Sequence, residues 1–110
     1  MKVDQKGHTT ILRNTTEDSE MFLEKVTANY NSFKDNNLII DLSNDKTIDL
    51  EVVKSFGDLS RMHKKLKKSF VIVVEDVDFN SVPSKMVVVP TLLEAHDIIE
   101  MEEIERDLGF

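Results

Sequence analysis

The segment NLIIDLSNDKTIDLEVV, residues 37–53, joins a buried strand to a helix and decides the fold. Leu38, Ile39 and Ile40 form a continuous apolar run between polar residues, which is typical of a strand buried on both faces of a sheet. From Asp49 onward, apolar residues recur at helical spacing, which predicts a helix that Asp49 caps and that extends to Lys68. Its predicted apolar face consists of Val52, Val53, Phe56, Leu59, Met62 and Leu66.

The residues before this segment predict a hairpin and a first helix. KVDQKGHTTILRN, residues 2–14, alternates in period two and predicts two short strands with a turn at Lys6–Gly7. TTEDSEMFLEKVTANYNSF, residues 15–33, predicts a helix that Thr15 or Thr16 caps. Acids favour the first turn of a helix, and they stand here at Glu17, Asp18 and Glu20. The predicted apolar face contains Phe22, Val26, Tyr30 and Phe33.

The residues after the segment predict two more strands and a long closing helix. SFVIVVED (69–76) and KMVVVPT (85–91) are apolar enough for buried strands. VDFNSVPSK (77–85) connects them as a loop or a single turn. TLLEAHDIIEMEEIERDLGF (91–110) predicts a helix with a capping box from Thr91 to Glu94 and a stop at Gly109.

This order of elements predicts one α/β domain over residues 1–110. Apolar strands that alternate with helices favour a mixed, largely parallel central sheet of about five strands with crossover helices. The first hairpin is expected to add an edge to the sheet, and a C-terminal helix is expected to close the domain.

Composition and charge exclude several classes of function. The net charge of −7 disfavours nonspecific binding to nucleic acid or to an anionic membrane by the molecule as a whole. The chain has no cysteine, which excludes disulfides, thiol catalysis and cysteine metal sites. The N-terminal residues lack the apolar core of a signal peptide, and no apolar run is long enough to span a bilayer. We therefore expect a cytoplasmic protein without a membrane partner.

The order of these segments resembles the STAS domain, the fold of bacterial anti-sigma-factor antagonists. NLIIDLSNDKTIDLEVV is similar to the family's apolar strand, Asp-Leu-Ser, short loop and Asp-Ser-Ser-Gly helix start. SFVIVVED is similar to its next strand, and VVVPTLLEAHDII to its closing strand and helix. The resemblance covers nearly the whole chain and implies a protein-interaction module.

The closing sequence VPTLLEAHDIIEMEEIERDLGF also resembles short STAS-like proteins of Bacteroidetes, which often carry the label ribonuclease Z. Ribonuclease Z has a metallo-β-lactamase fold, which needs an HxHxDH-type metal motif and a much longer chain. This chain has only His8, His63 and His96, well apart. We therefore interpret that label as an association with RNA processing and not as an activity.

The family's phosphorylation site is altered here. Asp49 matches the family's aspartate, while Leu50 and Glu51 stand where the resemblance places two serines. Without a phospho-acceptor, the output is expected to be constitutive. In one interpretation Glu51 mimics a phosphoserine, although a carboxylate carries less charge than a phosphate. In the other, Glu51 interacts with the helix dipole and stabilises the helix by ~0.3–1 kcal/mol. Asp49 and Glu51 would also repel a bound anion, and no Gly-rich phosphate loop is present, so nucleotide binding is not expected.

Two charged segments are candidates for partner binding. Five basic residues crowd the end of the predicted second helix, namely Arg61, Lys64, Lys65, Lys67 and Lys68. They form either a patch for an acidic partner or RNA, or a solvated helix end, and no aromatic residue interleaves with them to stack bases. The closing helix carries seven acids between residues 94 and 107. This helix either docks onto a basic surface of a partner, binds the lysine patch of another copy of the chain, or is a solvated acidic face.

The predicted function is therefore a non-catalytic interaction or regulatory module without cofactor or metal. No G-x-S-x-G motif is present, and nothing places paired carboxylates in an apolar pocket. The predicted partner is a sigma-regulatory or RNA-processing protein, with RNA itself as a weaker candidate. The alternatives are an accessory role in RNA processing and a small-molecule sensor. The predicted contact surface comprises Asp49, Leu50, Glu51, Arg61, Lys64, Lys65, Lys67 and Lys68; the oligomeric state is left open.

Overall fold

A five-stranded, mostly parallel sheet forms the centre of the protein. The structure, a computed structural model, describes residues 1–15, 18–46 and 48–109. The strands follow one another in chain order across the sheet: β1 (Lys2–Lys6), β2 (Thr9–Arg13), β3 (Asn37–Asp41), β4 (Phe70–Val73) and β5 (Val87–Val89). β1 and β2 pair antiparallel, and the other neighbours pair parallel. The predicted α/β fold with an edge hairpin is therefore confirmed.

The helices separate into two layers on opposite faces of the sheet. They are α1 (Ser19–Ala28), α2 (Leu50–Lys54), α3 (Gly57–Lys65) and α4 (Leu92–Asp107). One core cluster joins α1, α2 and α3 to one face of the sheet through Phe22, Val53 and Leu59. A second cluster joins α4 to the other face through Ala95 and Ile99. β3 lies at the centre, and every one of its residues is buried.

The prediction of a single helix from Asp49 to Lys68 is wrong, because this segment forms two helices, α2 and α3. The side chain of Ser55 donates to the carbonyl of Val52 at 2.5 Å, a local bond of the kind that bends helices. Gly57, which has a low helix propensity, then begins α3. α3 ends at Lys65, and Lys67 adopts a left-handed conformation with φ of 63°.

The apolar face predicted for this segment is only partly buried. Val53, Phe56 and Leu59 belong to the core, whereas Met62 and Leu66 are about half exposed. The inner face of α3 is completed by two polar residues, Ser60 and His63.

The predicted start of α1 is also wrong. Asp18 caps the helix by accepting a hydrogen bond from the backbone N–H of Met21 at 2.9 Å, whereas Thr15 lies upstream of the helix. Thr16 and Glu17, which were predicted at this helix start, lie outside the described residues. The helix ends at Ala28, and Asn29 caps it, since its side-chain amide and its backbone N–H donate to the carbonyl of Lys25 at 2.8 Å and 3.1 Å.

The predictions for the C-terminal elements agree more closely with the structure. Thr91 caps α4 as predicted, since its hydroxyl oxygen accepts from the N–H of Glu94 at 3.1 Å. Gly109, with φ of 83°, follows the end of the helix as predicted. The connection at 77–85 contains only one turn of 3₁₀ helix, Phe79–Ser81. Among the described residues, no helix is long and apolar enough to cross a membrane.

Candidate functional site

A buried carboxylate at the end of β3 fixes the path of the chain toward α2. One carboxylate oxygen of Asp41 accepts from Arg13 Nε at 3.0 Å. The other accepts from the backbone N–H of Ser43 at 3.0 Å and from its hydroxyl at 2.6 Å. The two bonds from Ser43 form a local turn directly after the strand. The Asp-Leu-Ser sequence therefore supplies both the acceptor and the donors of this turn.

The predicted surface at the start of α2 presents two exposed acids, Asp49 and Glu51. Asp49 accepts from the N–H of Val52 at 3.0 Å, so its predicted role as an N-cap is confirmed. Leu50 is half-buried, and the side chain of Glu51 is 83% exposed. One oxygen of Glu51 lies 3.6 Å from Lys54 Nζ, one turn further along α2. An exposed pair of this kind contributes about 0–1 kcal/mol to stability, so Glu51 is available to a partner.

The strongest concentration of positive charge lies in a groove that begins at Lys54. The groove runs between the α2–α3 segment and residues 83–86, which lead into β5, and it has a volume of about 1110 Å³. Five basic residues line it, namely Lys54, Arg61, Lys64, Lys65 and Lys85, against the single acid Asp58. We refer to this feature as the basic groove.

Two of the basic side chains that line the groove have partners within the protein. Arg61 Nη2 lies 2.7 Å from a carboxylate oxygen of Asp58, one turn earlier on α3. Lys64 Nζ donates to the backbone carbonyl of Lys85 and so links α3 to the opposite wall. The floor includes the partly buried side chain of Met86, which also packs against the core. The groove therefore combines a cationic rim with an apolar floor.

The five basic residues predicted as one patch are divided between two surfaces. Arg61, Lys64 and Lys65 line the basic groove. Lys67 and Lys68 instead line a smaller cleft of about 260 Å³, which Lys64 also borders. The other residues of that cleft are Glu102, Glu105 and Arg106 of α4. Because the two acids offset the lysines there, this cleft is a weaker candidate for binding an acidic partner.

Sequence reasoning missed the far wall of the basic groove. Lys85 is separated from Arg61 by β4 and its following connection, so only the tertiary fold brings them together. Lys54 was missed for another reason, since it stands alone among apolar residues in the sequence. A single lysine at a helix end has no distinguishing pattern, and only its position beside Gly57 and Lys85 identifies it.

The three histidines occupy unrelated positions. His63 is fully buried beneath α3, while exposed His8 lies 3.8 Å from a carboxylate oxygen of Glu103. The pKa of His96 is lowered by partial burial and by the charge of Lys6, against the opposing influence of Asp97. Within the described residues, no group of three or more histidine and acidic side chains is placed to hold a metal ion.

Lys67, which follows the end of α3, has a left-handed backbone conformation that is expected to be strained. A residue with a β-carbon is disfavoured at φ of 63°, whereas glycine adopts it readily. We expect Lys67→Gly to raise the free energy of unfolding by about 1 kcal/mol, measured by urea denaturation. The control Lys65→Gly, at the last residue of α3, should instead lower it, because glycine has a low helix propensity. If both variants were destabilised equally, no strain would reside at Lys67.

The comparisons with models of known protein families and with curated proteins found no match to this chain.

Proposed function

We propose that the protein is a non-catalytic, STAS-like interaction module of the cytoplasm, which holds an acidic segment of a partner protein in the basic groove. One observation carries the proposal. Five cationic side chains surround one groove with a single acid, in a chain whose net charge is −7. Positive charge concentrated in this way opposes the charge of the whole molecule, and a partner with negative charge is its electrostatic complement.

The lining of the groove favours a peptide segment over a nucleic acid. Its apolar floor, which includes Met86 and Pro83, suits the side chains of an amphipathic segment, while the rim suits carboxylates. The described residues that line the groove include no aromatic side chain on which a base could stack. A nucleic acid would also meet the net negative charge of the remaining surface.

The start of α2 supports constitutive binding. The groove begins at Lys54, which lies one turn after Glu51 on α2 and has its Nζ 3.6 Å from the Glu51 carboxylate. In the resembling family this helix start carries the regulatory serine, and here it carries Leu50 and Glu51. A permanent carboxylate at this position fixes the local charge, so affinity for the partner is not expected to depend on a kinase.

The test is a binding titration with a labelled amphipathic peptide in which glutamates flank leucines at helical spacing. We expect saturable binding that weakens as salt is added, because exposed charges are screened. Charge reversal in the double variant Lys64→Glu/Lys85→Glu should weaken binding by about 10-fold or more. The matched control Lys67→Glu/Lys68→Glu reverses the same number of charges outside the groove and should have a much smaller effect.

Two further probes decide between the classes of partner. A peptide with lysines in place of the glutamates should not bind, and a single-stranded oligouridylate should bind more weakly than the acidic peptide. Equal loss of binding in both double variants would show that net charge and not the groove is responsible. Preferential binding of the oligouridylate would replace the proposal with an RNA-binding role.

A further inference from the structure

The outer face of α4 exposes several large apolar side chains, although the helix already buries its inner face against the sheet. Ala95 and Ile99 lie in the core on the inner side. On the opposite side of the helix, four large apolar side chains are exposed: Leu93, Met101, Ile104 and Leu108. At 3.6 residues per turn, these positions fall on one stripe that faces away from the sheet.

This stripe holds a disproportionate share of the exposed apolar surface. Leu93 and Leu108 are 73% and 68% exposed, more than any other large apolar residue that the structure describes. Exposed apolar rows of this kind mark surfaces that bind a partner. The acids Glu94, Glu100 and Glu105 border the stripe on the same helix, and exposed Asp97 lies within it, between Leu93 and Met101. We refer to the four apolar residues and these acids as the outer face of α4.

The chain therefore carries two surfaces with complementary chemistry. The outer face of α4 combines apolar side chains with acids. The basic groove combines cationic side chains with apolar ones. α4 cannot occupy the groove of its own molecule, because Ala95 and Ile99 hold it on the other face of the sheet from α2 and α3. The two surfaces can meet only between different molecules.

We propose that the outer face of α4 docks into the basic groove of a second copy of the same chain, head to tail. This inference rests on the proposed function, since it takes the groove as the binding site and names the occupant. A contact between two different surfaces leaves one of each unused, so it generates an open chain or, if the rotation closes, a ring.

Charge decides against the simplest alternative, a symmetric dimer that pairs the outer faces of two α4 helices. Such a dimer would bring Asp97 and Glu100 of one copy close to the acids of the other. Like charges placed together across an interface are repulsive. The same acids meet Lys54, Arg61 and Lys85 in the head-to-tail arrangement, which is therefore favoured.

Sedimentation velocity over a range of protein concentrations tests the assembly. The wild type should form species larger than a dimer as concentration rises, and added salt should reduce their size. The groove variant Lys64→Glu/Lys85→Glu and the α4 variant Met101→Lys/Ile104→Lys should each sediment as monomers. All four positions lie at the surface or line the groove, and circular dichroism checks that both variants are folded.

Mixing the two variants provides the decisive control. The α4 variant retains an intact groove, and the groove variant retains an intact α4, so an equimolar mixture should form one-to-one dimers and nothing larger. A monomeric wild type at the highest concentration, assembly that survives in the groove variant, or a mixture that stays monomeric would each overturn the inference. Binding of the acidic peptide by a wild type that stays monomeric would leave the proposed function standing and remove only the self-association.

Discussion

Replacing Arg13 with methionine is expected to lower the free energy of unfolding by about 3 kcal/mol, since it leaves the carboxylate of Asp41 buried without its cation. The side chain of Asp41 is only 4% exposed, and Arg13 Nε lies 3.0 Å from its oxygen. The two residues lie opposite each other on β2 and β3. Ser43 would still donate two hydrogen bonds, but neither supplies a compensating charge.

Urea denaturation at neutral pH measures this effect, and the chain offers a matched control. Lys46 pairs with Glu75 on the surface, where both side chains are more than half exposed. Lys46→Met should therefore cost about 0–1 kcal/mol. A second comparison uses Asp41→Asn, which removes the buried charge, so adding Arg13→Met to it should cost much less than Arg13→Met alone. Equal costs for Arg13→Met and Lys46→Met would show that burial of the pair is unimportant.

The strands and the caps of two helices were predictable because their causes are local. Leu38, Ile39 and Ile40 form a run too apolar for any position except the centre of a sheet, and they lie there. Asp49 and Thr91 cap α2 and α4 by bonding backbone N–H groups only three residues away. Interactions of this range can be inferred from spacing alone.

The division of the second helix and the basic groove were not predictable in the same way. Apolar spacing from Val52 to Leu66 continues through Ser55 and Phe56, so the periodic pattern carries no sign of the break. The basic groove depends on Lys85 and Met86, which lie in a connection with no regular pattern. The role of Asp41 was missed because its partner Arg13 lies on another strand, 28 residues earlier.

The buried environment of His63 was also not predicted from the sequence, because its partners come from other parts of the fold. Two hydrogen bonds determine which ring nitrogen of His63 carries the proton. Its Nδ1 accepts a hydrogen bond from the hydroxyl of Tyr30 at 2.6 Å, and its Nε2–H donates to the carbonyl of Asn36 at 2.8 Å. Burial raises the pKa of Tyr30, which keeps that hydroxyl protonated as a donor. The ring also makes an edge contact with Phe70. The neutral imidazole with its proton on Nε2 satisfies both partners.

The second prediction with a large effect concerns His63→Phe. The aromatic ring is retained, but the hydroxyl of Tyr30 and the carbonyl of Asn36 each lose a buried partner. We expect the free energy of unfolding at pH 8 to fall by about 2–6 kcal/mol, from about 1–3 kcal/mol for each of the two unsatisfied groups. Tyr30→Phe, which disturbs only one of the two bonds, should cost about half as much. Equal stability of His63→Phe and the wild type would show that these bonds contribute nothing.

The same histidine makes stability depend on pH in a direction that can be worked out. Burial lowers the pKa of His63 below its ordinary 6.5, the bond to Asn36 raises it less strongly, and the charge of Lys68 lowers it further. Above pH 6.5 both the folded and the unfolded forms are neutral at this residue. As pH falls below that value, the unfolded chain binds a proton that the folded protein does not, so stability decreases. The slope approaches ~1.4 kcal/mol per pH unit until the pKa of the folded state is reached.

Urea denaturation at several pH values isolates this contribution. His96 also has a lowered pKa, so the wild type contains two such histidines, and the difference between the wild type and His63→Phe belongs to His63. That difference should narrow as pH falls below 6.5, because only the wild type loses stability through this residue. Lys68→Met should make the loss level off at a higher pH and so reduce its total size, since removing the nearby charge raises the pKa of His63 in the folded protein. A difference that stays constant with pH would mean that His63 takes up its proton equally well in both states.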